Sequence, residues 1–404
     1  MRIGIIGAGA SGITAAIFAA QNTENQVTLM ERQSRVGRKL AATGNGRCNL
    51  TNLHAGHCGY HGEQPDFPGF VLTQFGPEKT RAWFHSLGLL TVAEASGRVY
   101  PYSDQANSVV DILRFGLNRD NITLMTGFEV TKAGKNGSVF QVSAGGDSLC
   151  FDRLVIACGG LAGTKLGGSM SGYRLLRGFG HHATRLRPSL VQLCSSWHGL
   201  ASLKGVRTNC LASILHDGTV TAVSQGELQF TEYGLSGPVI FEISRDACQA
   251  PGDWSCQMDF LPDMSAGELA RALLRRRSMP ICTEDLLTGI LHNRLGRVLT
   301  KAVGIQEGRP LSSLQEEEAH AVAGAVKAFS VALTQPMGMD CAQVTAGGIQ
   351  TTEFNRQTME SRIVPGLYAC GEVLDVDGDC GGYNLQWAWS SGRAAGLCAG
   401  GIEK

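Results

Sequence analysis

The chain has 404 residues, enough for two or three domains, and 43% of them are hydrophobic, enough to fill sizeable cores. Lysine plus arginine and aspartate plus glutamate both total 35, so the formal charge is zero; with no long basic run, nucleic acid is not an expected partner. There is no charged leader followed by a cleavable apolar stretch, and no run of about 18 apolar residues. The 13 cysteines lack any C-x-x-C or paired zinc spacing, so the expectation is a cytoplasmic protein with reduced thiols and no membrane or metal partner.

Taken in chain order, residues 2–6 (Arg-Ile-Gly-Ile-Ile) have the pattern of a buried strand. Residues 11–21 read as a helix with small residues on one face, and 26–31 as a second strand. Together they form a βαβ unit of about 30 residues, which favours parallel strands. Further strands are expected at 122–126, 139–143, 153–158 and 366–370. From Pro188 to Gln257 short alternating segments separated by turn residues suggest a β-rich unit. From Ser265 to Leu333 the pattern turns helical, with Ser265-x-x-Glu268 and Ser313-x-x-Glu316 as candidate capping boxes. The run Arg275-Arg276-Arg277 reads as a solvated helix face. After Pro336 glycines and strand return. The expected layout is a nucleotide domain made of both chain ends (1–187 and 336–404), interrupted by a β-rich insertion (188–262) and a helical part (263–335).

The chemistry begins at Gly7-Ala8-Gly9-Ala10-Ser11-Gly12, between the first strand and the first helix. Gly7 permits a tight turn, Gly9 leaves room for a pyrophosphate, and Gly12 lets helix and strand pack closely. The helix N-terminus adds unpaired N–H groups and the positive end of a dipole. Glu31, 19 residues after Gly12, ends the second strand, where a carboxylate accepts from ribose hydroxyls and disfavours a 2′-phosphate. The motif alone does not separate NAD from FAD. Beyond it, Arg32 and Gly37-Arg38-Lys39 complete an E-x-x-x-x-x-G-R pattern. This resembles the FAD signature of the glutathione-reductase-like superfamily.

Ala42 to Asn52 is rich in small and amide residues, and Asn45, Gly46, Arg47, Cys48 and Asn49 suit a loop laid along a ligand. A redox disulfide at Cys48 is not expected. The C-x-x-x-x-C position is Leu53, and the next cysteine is Cys58, so Cys48 is a packed or flavin-adjacent thiol. Two later strands end in glycine: Leu154 to Gly160, offering Ala157 and Gly159, and Pro365 to Glu372, offering Gly371 and Glu372. Asp375, Asp377 and Asp379 follow. They lack the later glutamate that an EF-hand calcium loop needs at set spacing. Gly381 to Gln386 then opens a helix ending near Ala399. His181-His182 reads as a surface pair rather than a proton-donating one.

These motifs together resemble a bacterial flavoprotein family that includes aminoacetone-oxidase-like and 3-dehydro-bile-acid-reductase-like proteins. The marks are the loop 38–52, the segments 188–193, 230–238 and 345–349, and above all 371–388. The resemblance implies an α/β fold, a Rossmann-like FAD-binding domain with inserted β-barrel-like and helical subdomains. It implies FAD as cofactor, with Val130, Asp379, Gly382, Asn384 and Leu385 as further contacts and the start of the last helix facing the flavin's pyrimidine edge. Tyr383 and Asn384 are the candidate catalytic residues; Glu232, where many relatives carry histidine, and Tyr233 are candidate substrate contacts. The first functional reading is a reductase in which NAD(P)H is a transient electron donor and hydride passes through flavin N5 to a small organic acceptor such as an enone or steroid-like alkene. No second G-x-G-x-x-G follows a strand, so nicotinamide would visit the flavin face from an open cleft. The alternatives are an amine or aminoketone oxidase using O2, and a non-catalytic flavin-bound sensor or accessory protein.

Overall fold

A computed structural model describes residues 1–56 and 58–402. The chain divides into two compact units, residues 1–188 with 343–404, and residues 189–342. Each has its own buried apolar cluster.

The first unit is organised by a five-stranded parallel sheet in the order Leu367–Ala369, Arg153–Ile156, Arg2–Ile6, Gln26–Glu31, Ile122–Thr126. The first strand is central and flanked on both sides. That is why Ile3, Ile5 and Ile6 are all buried and the run shows no alternation. The first helix, Ala10–Ala19, is buried along nearly its whole length. It lies against the C-terminal helix, Tyr383–Ala399. The close approach comes from small residues on both. A Cβ on Gly392 would overlap the Ser11 carbonyl oxygen, and one on Gly396 the Ala15 carbonyl oxygen. Side-chain size at the crossing sets how near two helix axes come, so the small face read at 11–21 is the seam between the two chain ends.

The second unit is a closed six-stranded barrel, Leu193–Ser195, Gly234–Ser236, Thr219–Phe230, Arg207–His216, Trp254–Asp259 and Phe329–Pro336 in spatial order, with helices at Ala266–Arg275, Asn293–Ala302 and Glu316–Lys327. The last barrel strand begins inside the stretch read as helical and runs just past its end. Its buried–exposed alternation through Phe329, Val331 and Leu333 marks it as a strand. Ser265 and Glu268 form the reciprocal cap expected of them. The second candidate box is displaced by two residues: the helix starts at Glu316, Gln315 is the N-cap, and Glu318 accepts from the Gln315 N–H at 2.8 Å. Ser313 instead ends a short 3-10 turn. Among the described residues no helix is long and apolar enough to cross a membrane, and no group of three His, Cys, Asp or Glu side chains is placed to hold a metal ion.

Candidate functional site: a dinucleotide cradle between the chain ends

The glycine turn has the geometry its spacing implies. Gly7 has φ +102°, and a Cβ there would lie 2.5 Å from the Ala157 carbonyl oxygen. A Cβ on Gly12 would overlap the Gly7 carbonyl oxygen. Gly9 is different: nothing lies within 4 Å of where its Cβ would be. Two glycines are therefore required by the protein's own packing, and the third faces open space at the start of a helix.

Glu31 is half-buried and held by the turn itself. Its Oε2 accepts from the Ala8 N–H and its Oε1 from the Gln33 N–H, each at 2.8 Å. An ionised carboxylate has about four acceptor positions, so this arrangement leaves capacity for a diol. Gly37, at φ +65°, donates its N–H to the Ala8 carbonyl and closes the pocket edge. The loop after Ile122–Thr126 returns to the same place, Gly127 N–H to Gln33 O and Phe128 N–H to Glu31 O, and leads to buried Val130.

The basic residues divide. Arg32 donates to the Gly167 carbonyl at 2.7 Å, and Arg38 to Gln33 at 3.1 Å. Lys39 pairs with Glu372 at 2.7 Å, with both side chains mostly shielded from solvent. Glu372 also accepts from the Thr345 N–H, and the Thr345 hydroxyl accepts from the N–H groups of Leu161 and Ala162. One carboxylate thus ties three returning segments together. Gly159, at φ +70°, has open space around it, while Ala157 is buried beside Ile6. Gly371, at φ +76°, sits against Ser11, and its N–H goes to Ser391 Oγ at 3.0 Å.

In the 42–52 loop, Asn45 and Gly46 are exposed on a tight turn. Arg47 points to a surface network with Asp104 and Glu94 and lies 4.0 Å over the Tyr100 ring. Cys48 is fully buried, and that burial pushes its thiol up to about 12. A thiol held protonated and covered by protein packs; it does not attack. None of the cysteines forms a disulfide. Asn49 is distinctive. Its Oδ1 is buried with no hydrogen-bond partner and lies 3.0 Å from where a Cβ on Gly382 would be. An unmet buried acceptor costs about 1–3 kcal/mol, which makes it a position for a ligand donor.

Gly382, at φ +104°, caps the C-terminal helix, and residues 381–385, including Leu385, are half-buried there. Asn384 braces the preceding turn. Its Oδ1 accepts from the Gly378 N–H at 2.8 Å, and its Nδ2 donates to the carbonyls of Gly378 and Asp379. Tyr383 packs edge-on to Tyr60, whose hydroxyl donates to the Tyr383 carbonyl. Burial pushes the Tyr60 hydroxyl well above its ordinary value, helped by Tyr383 and Asp379. Asp379 lies 2.7 Å from the His61 ring. Motif reading passed over His61, because its pairing opposite Asp377 is a long-range strand contact. It also passed over the buried residues that pin the helix: Gln386 to Thr51, Phe75 and Thr80, Trp387 to the Gly371 carbonyl, and Trp389 to the Leu50 carbonyl.

Glu232 and Tyr233 belong to the second unit, where Glu232 pairs with Lys204 at 2.5 Å and Tyr233 is partly exposed. The histidine pair is corrected by the structure. His182 is exposed, but the His181 side chain is fully buried, stacked on Phe354, between Glu353 at 2.7 Å and Ser361 at 3.0 Å.

The residues present fit FAD: open backbone at Gly9, a diol-accepting carboxylate at Glu31, and an unpaired acceptor, Asn49, beside the start of the last helix. Fold and site together define a Rossmann-type FAD-binding oxidoreductase. The chain belongs to the HI0933-like family, whose model, described as the HI0933-like protein Rossmann domain, matches residues 1–398. It is 42% identical over 98% of both chains to a 3-dehydro-bile acid delta(4,6)-reductase of Clostridium scindens. It is 32% identical over 96% of both chains to the ribosomal RNA dihydrouridine synthase of Escherichia coli. Among solved structures its fold is similar to 3-ketosteroid delta1-dehydrogenase of Sterolibacterium denitrificans, with a TM-score of 0.52 and 11% identity over 99% of each chain.

Proposed function

We propose that this protein is an FAD-dependent reductase of a carbon–carbon double bond conjugated to a carbonyl, with a small steroid-like enone as acceptor and NAD(P)H as the transient electron donor. The observation that carries this reading is the 42% identity along the whole chain to a reductase named for the delta(4,6) bonds of a 3-dehydro bile acid. The dihydrouridine synthase relative supports the reaction class, because dihydrouridine is uridine with its ring double bond saturated beside a carbonyl. The balanced charge of this chain favours a small acceptor over RNA.

The residues divide the work. The backbone from Gly7 to Gly12, with the helix dipole behind it, holds the pyrophosphate. Glu31 holds the adenosine ribose, with Val130 beside it. The 37–49 loop, Ala157, Gly159 and the Gly371–Glu372 return hold the middle of the cofactor. The start of the last helix, Gly382 to Leu385, places positive potential where negative charge develops during reduction. Bound FAD supplies hydride transfer between donor and acceptor; the protein supplies position and electrostatics.

The test is anaerobic. NADH and NADPH are added in turn to the flavin-loaded protein, followed by a 4-en-3-one steroid, with absorbance and product mass recorded. Bleaching by one nucleotide, reoxidation by the steroid and a product heavier by two hydrogens are expected. A flavin that stays oxidised with both nucleotides sinks the NAD(P)H link. Turnover with aminoacetone and O2, or with uridine-containing RNA, but with no enone, sinks the substrate class.

A further inference from the structure

A reductase needs a place for its nicotinamide donor, and the chain has no second glycine turn of the Gly7–Gly12 kind to hold one. We infer that a cleft between segments 63–67 and 351–362 docks the adenosine diphosphate half of that donor, with Arg356 and Arg362 on its phosphates and Glu63 and Asp66 on its sugar hydroxyls; this rests on the reductase reading.

The cleft has a volume of about 610 Å3, and small-molecule sites run from about 300 to 1,000 Å3. One side continues from the short strand Tyr60–His61, which pairs with Asp377–Gly378. There the Glu63 N–H donates to the Asp375 carboxylate at 3.0 Å, and buried Phe67 packs edge-on against Trp387, with ring centroids 6.2 Å apart. The other side is a tight hairpin. Phe354 pairs with Ser361, the Asn355 N–H donates to the Glu360 carbonyl, and Asn355 Oδ1 accepts from the Gln357 N–H. The Thr351 hydroxyl donates to Gln64 Oε1 at 3.0 Å and ties the two sides together. The backbone of both walls is therefore fixed by its own hydrogen bonds.

The charged side chains on those walls are unspent. Glu63, Asp66, Arg356 and Arg362 all line the cleft and are exposed to it. Among the described residues none of the four forms an ion pair. Arg362 spends only Nε, on the Phe354 carbonyl at 3.1 Å, and keeps both Nη groups. Two cations and two anions that share a cleft without pairing suit a ligand that carries both kinds of partner. A guanidinium fork matches phosphate oxygens two at a time. A carboxylate accepts from a ribose diol, as Glu31 does in the other cradle. Pro65, Phe67 and Phe354 add apolar surface for a purine. A simple carboxylate or a polyamine would meet only half of these groups.

The position suits a donor as well. Trp387, against which Phe67 packs, lies four residues beyond Tyr383 on the last helix, about 6 Å along its axis. The inner wall of the cleft is thus about one turn from the helix start, where the flavin's pyrimidine edge is proposed to lie. An adenosine half held in the cleft leaves the nicotinamide half to extend toward the ring.

The probe is ADP, which the two nicotinamide donors share. Flavin-loaded wild type, R356Q, R362Q and R362K are checked for FAD content and melting point and titrated with ADP by calorimetry. Wild type should bind, and binding should weaken about tenfold in R356Q and in R362Q, each losing one charge-assisted contact. R362K should fall between, because it keeps the charge and loses the fork. R114Q, at an exposed arginine paired with Asp111 on another helix, should bind like wild type. In anaerobic stopped flow the half-saturating concentration of the nicotinamide donor should rise about tenfold in R356Q and R362Q, with the limiting rate of flavin reduction within about threefold of wild type, the pattern of lost ground-state binding. ADP should compete with the donor. A wild-type protein that does not bind ADP, or R356Q and R362Q binding it like wild type, overturns the inference. So does ADP that binds through these arginines without competing, since the cleft then takes a free nucleotide and not the donor. A flavin that stays oxidised with both NADH and NADPH overturns the donor link and the inference with it. Reduction through the cleft followed by no reoxidation with any conjugated carbonyl overturns the acceptor reading alone and leaves the docking site standing.

Discussion

Replacing Gly9 and Gly12 separately by alanine distinguishes a cofactor cradle from an ordinary tight turn. Gly9 has φ −83° and ψ −168°, a conformation any residue adopts, and its Cβ would meet nothing within 4 Å. In the FAD-free protein G9A should therefore be neutral or stabilising by about 0.4–1 kcal/mol, through the reduced freedom of the unfolded chain. If pyrophosphate lies against Gly9, the added methyl occupies its place. An overpacked contact costs about 1–3 kcal/mol, which is about a 5- to 150-fold loss of FAD affinity. Gly12 is the opposite case. Its Cβ would overlap the Gly7 carbonyl oxygen, so G12A must move backbone and should destabilise the FAD-free protein by about 3 kcal/mol or more. Melting the deflavinated proteins and titrating each with FAD by calorimetry separates the two effects. G9A binding FAD like wild type would refute the cradle, and G12A melting like wild type would refute the packing argument.

Asn384→Ala removes three hydrogen bonds from the Gly378–Asp379 turn and should cost about 1–3 kcal/mol, read in denaturant unfolding, with faster FAD loss on dialysis; an unchanged midpoint contradicts the bracing role. Native iodoacetamide labelling followed by mass spectrometry should modify exposed Cys58 and Cys150 well before Cys48 and Cys370, whose burial pushes their thiols up to about 12; early modification of Cys48 would contradict its packed position. Stability should fall as pH drops. Burial pushes His181 below its ordinary 6.5 against the pull of Glu353, so the folded state favours the neutral ring; that contribution is full above 6.5 and is lost as pH falls through the lower folded value. Burial raises the Glu353 carboxyl, but hydrogen bonds from His182 and His181 outweigh it. Its net shift is downward, and its contribution is lost below about 4.5, as pH falls through its folded value. Melting temperature against pH should therefore begin to drop near 6.5, and H181Q should flatten that upper limb; an equally steep limb in H181Q would remove His181 as its source.

Much of the nucleotide unit was legible because its signals are local. Gly7, Gly12 and Glu31 lie within one βαβ unit, where spacing along the chain sets spacing in space. The strand at 122–126 and the helix ending at Ala399 appear where pattern placed them. The barrel strand Phe329–Pro336 was misread because three helices precede it and eight residues of alternation are a weak signal beside them. His181 was misread because burial of a histidine depends on what packs over it, here Phe354 and Glu353, about 170 residues away along the chain.

From the sequence alone came the turn chemistry: which glycine needs positive φ, which faces a helix start, and which carboxylate ends the strand. These follow from steric rules acting over a few residues. Only the tertiary structure decided the rest. It spent Lys39 on Glu372, Asn384 on the Gly378 turn and Arg47 on a surface network, left Asn49 Oδ1 without a partner, and brought His61 to Asp379 across more than 300 residues of chain. The reason is that a side chain's role depends on which other groups compete for its hydrogen bonds, and those competitors are assembled by folding.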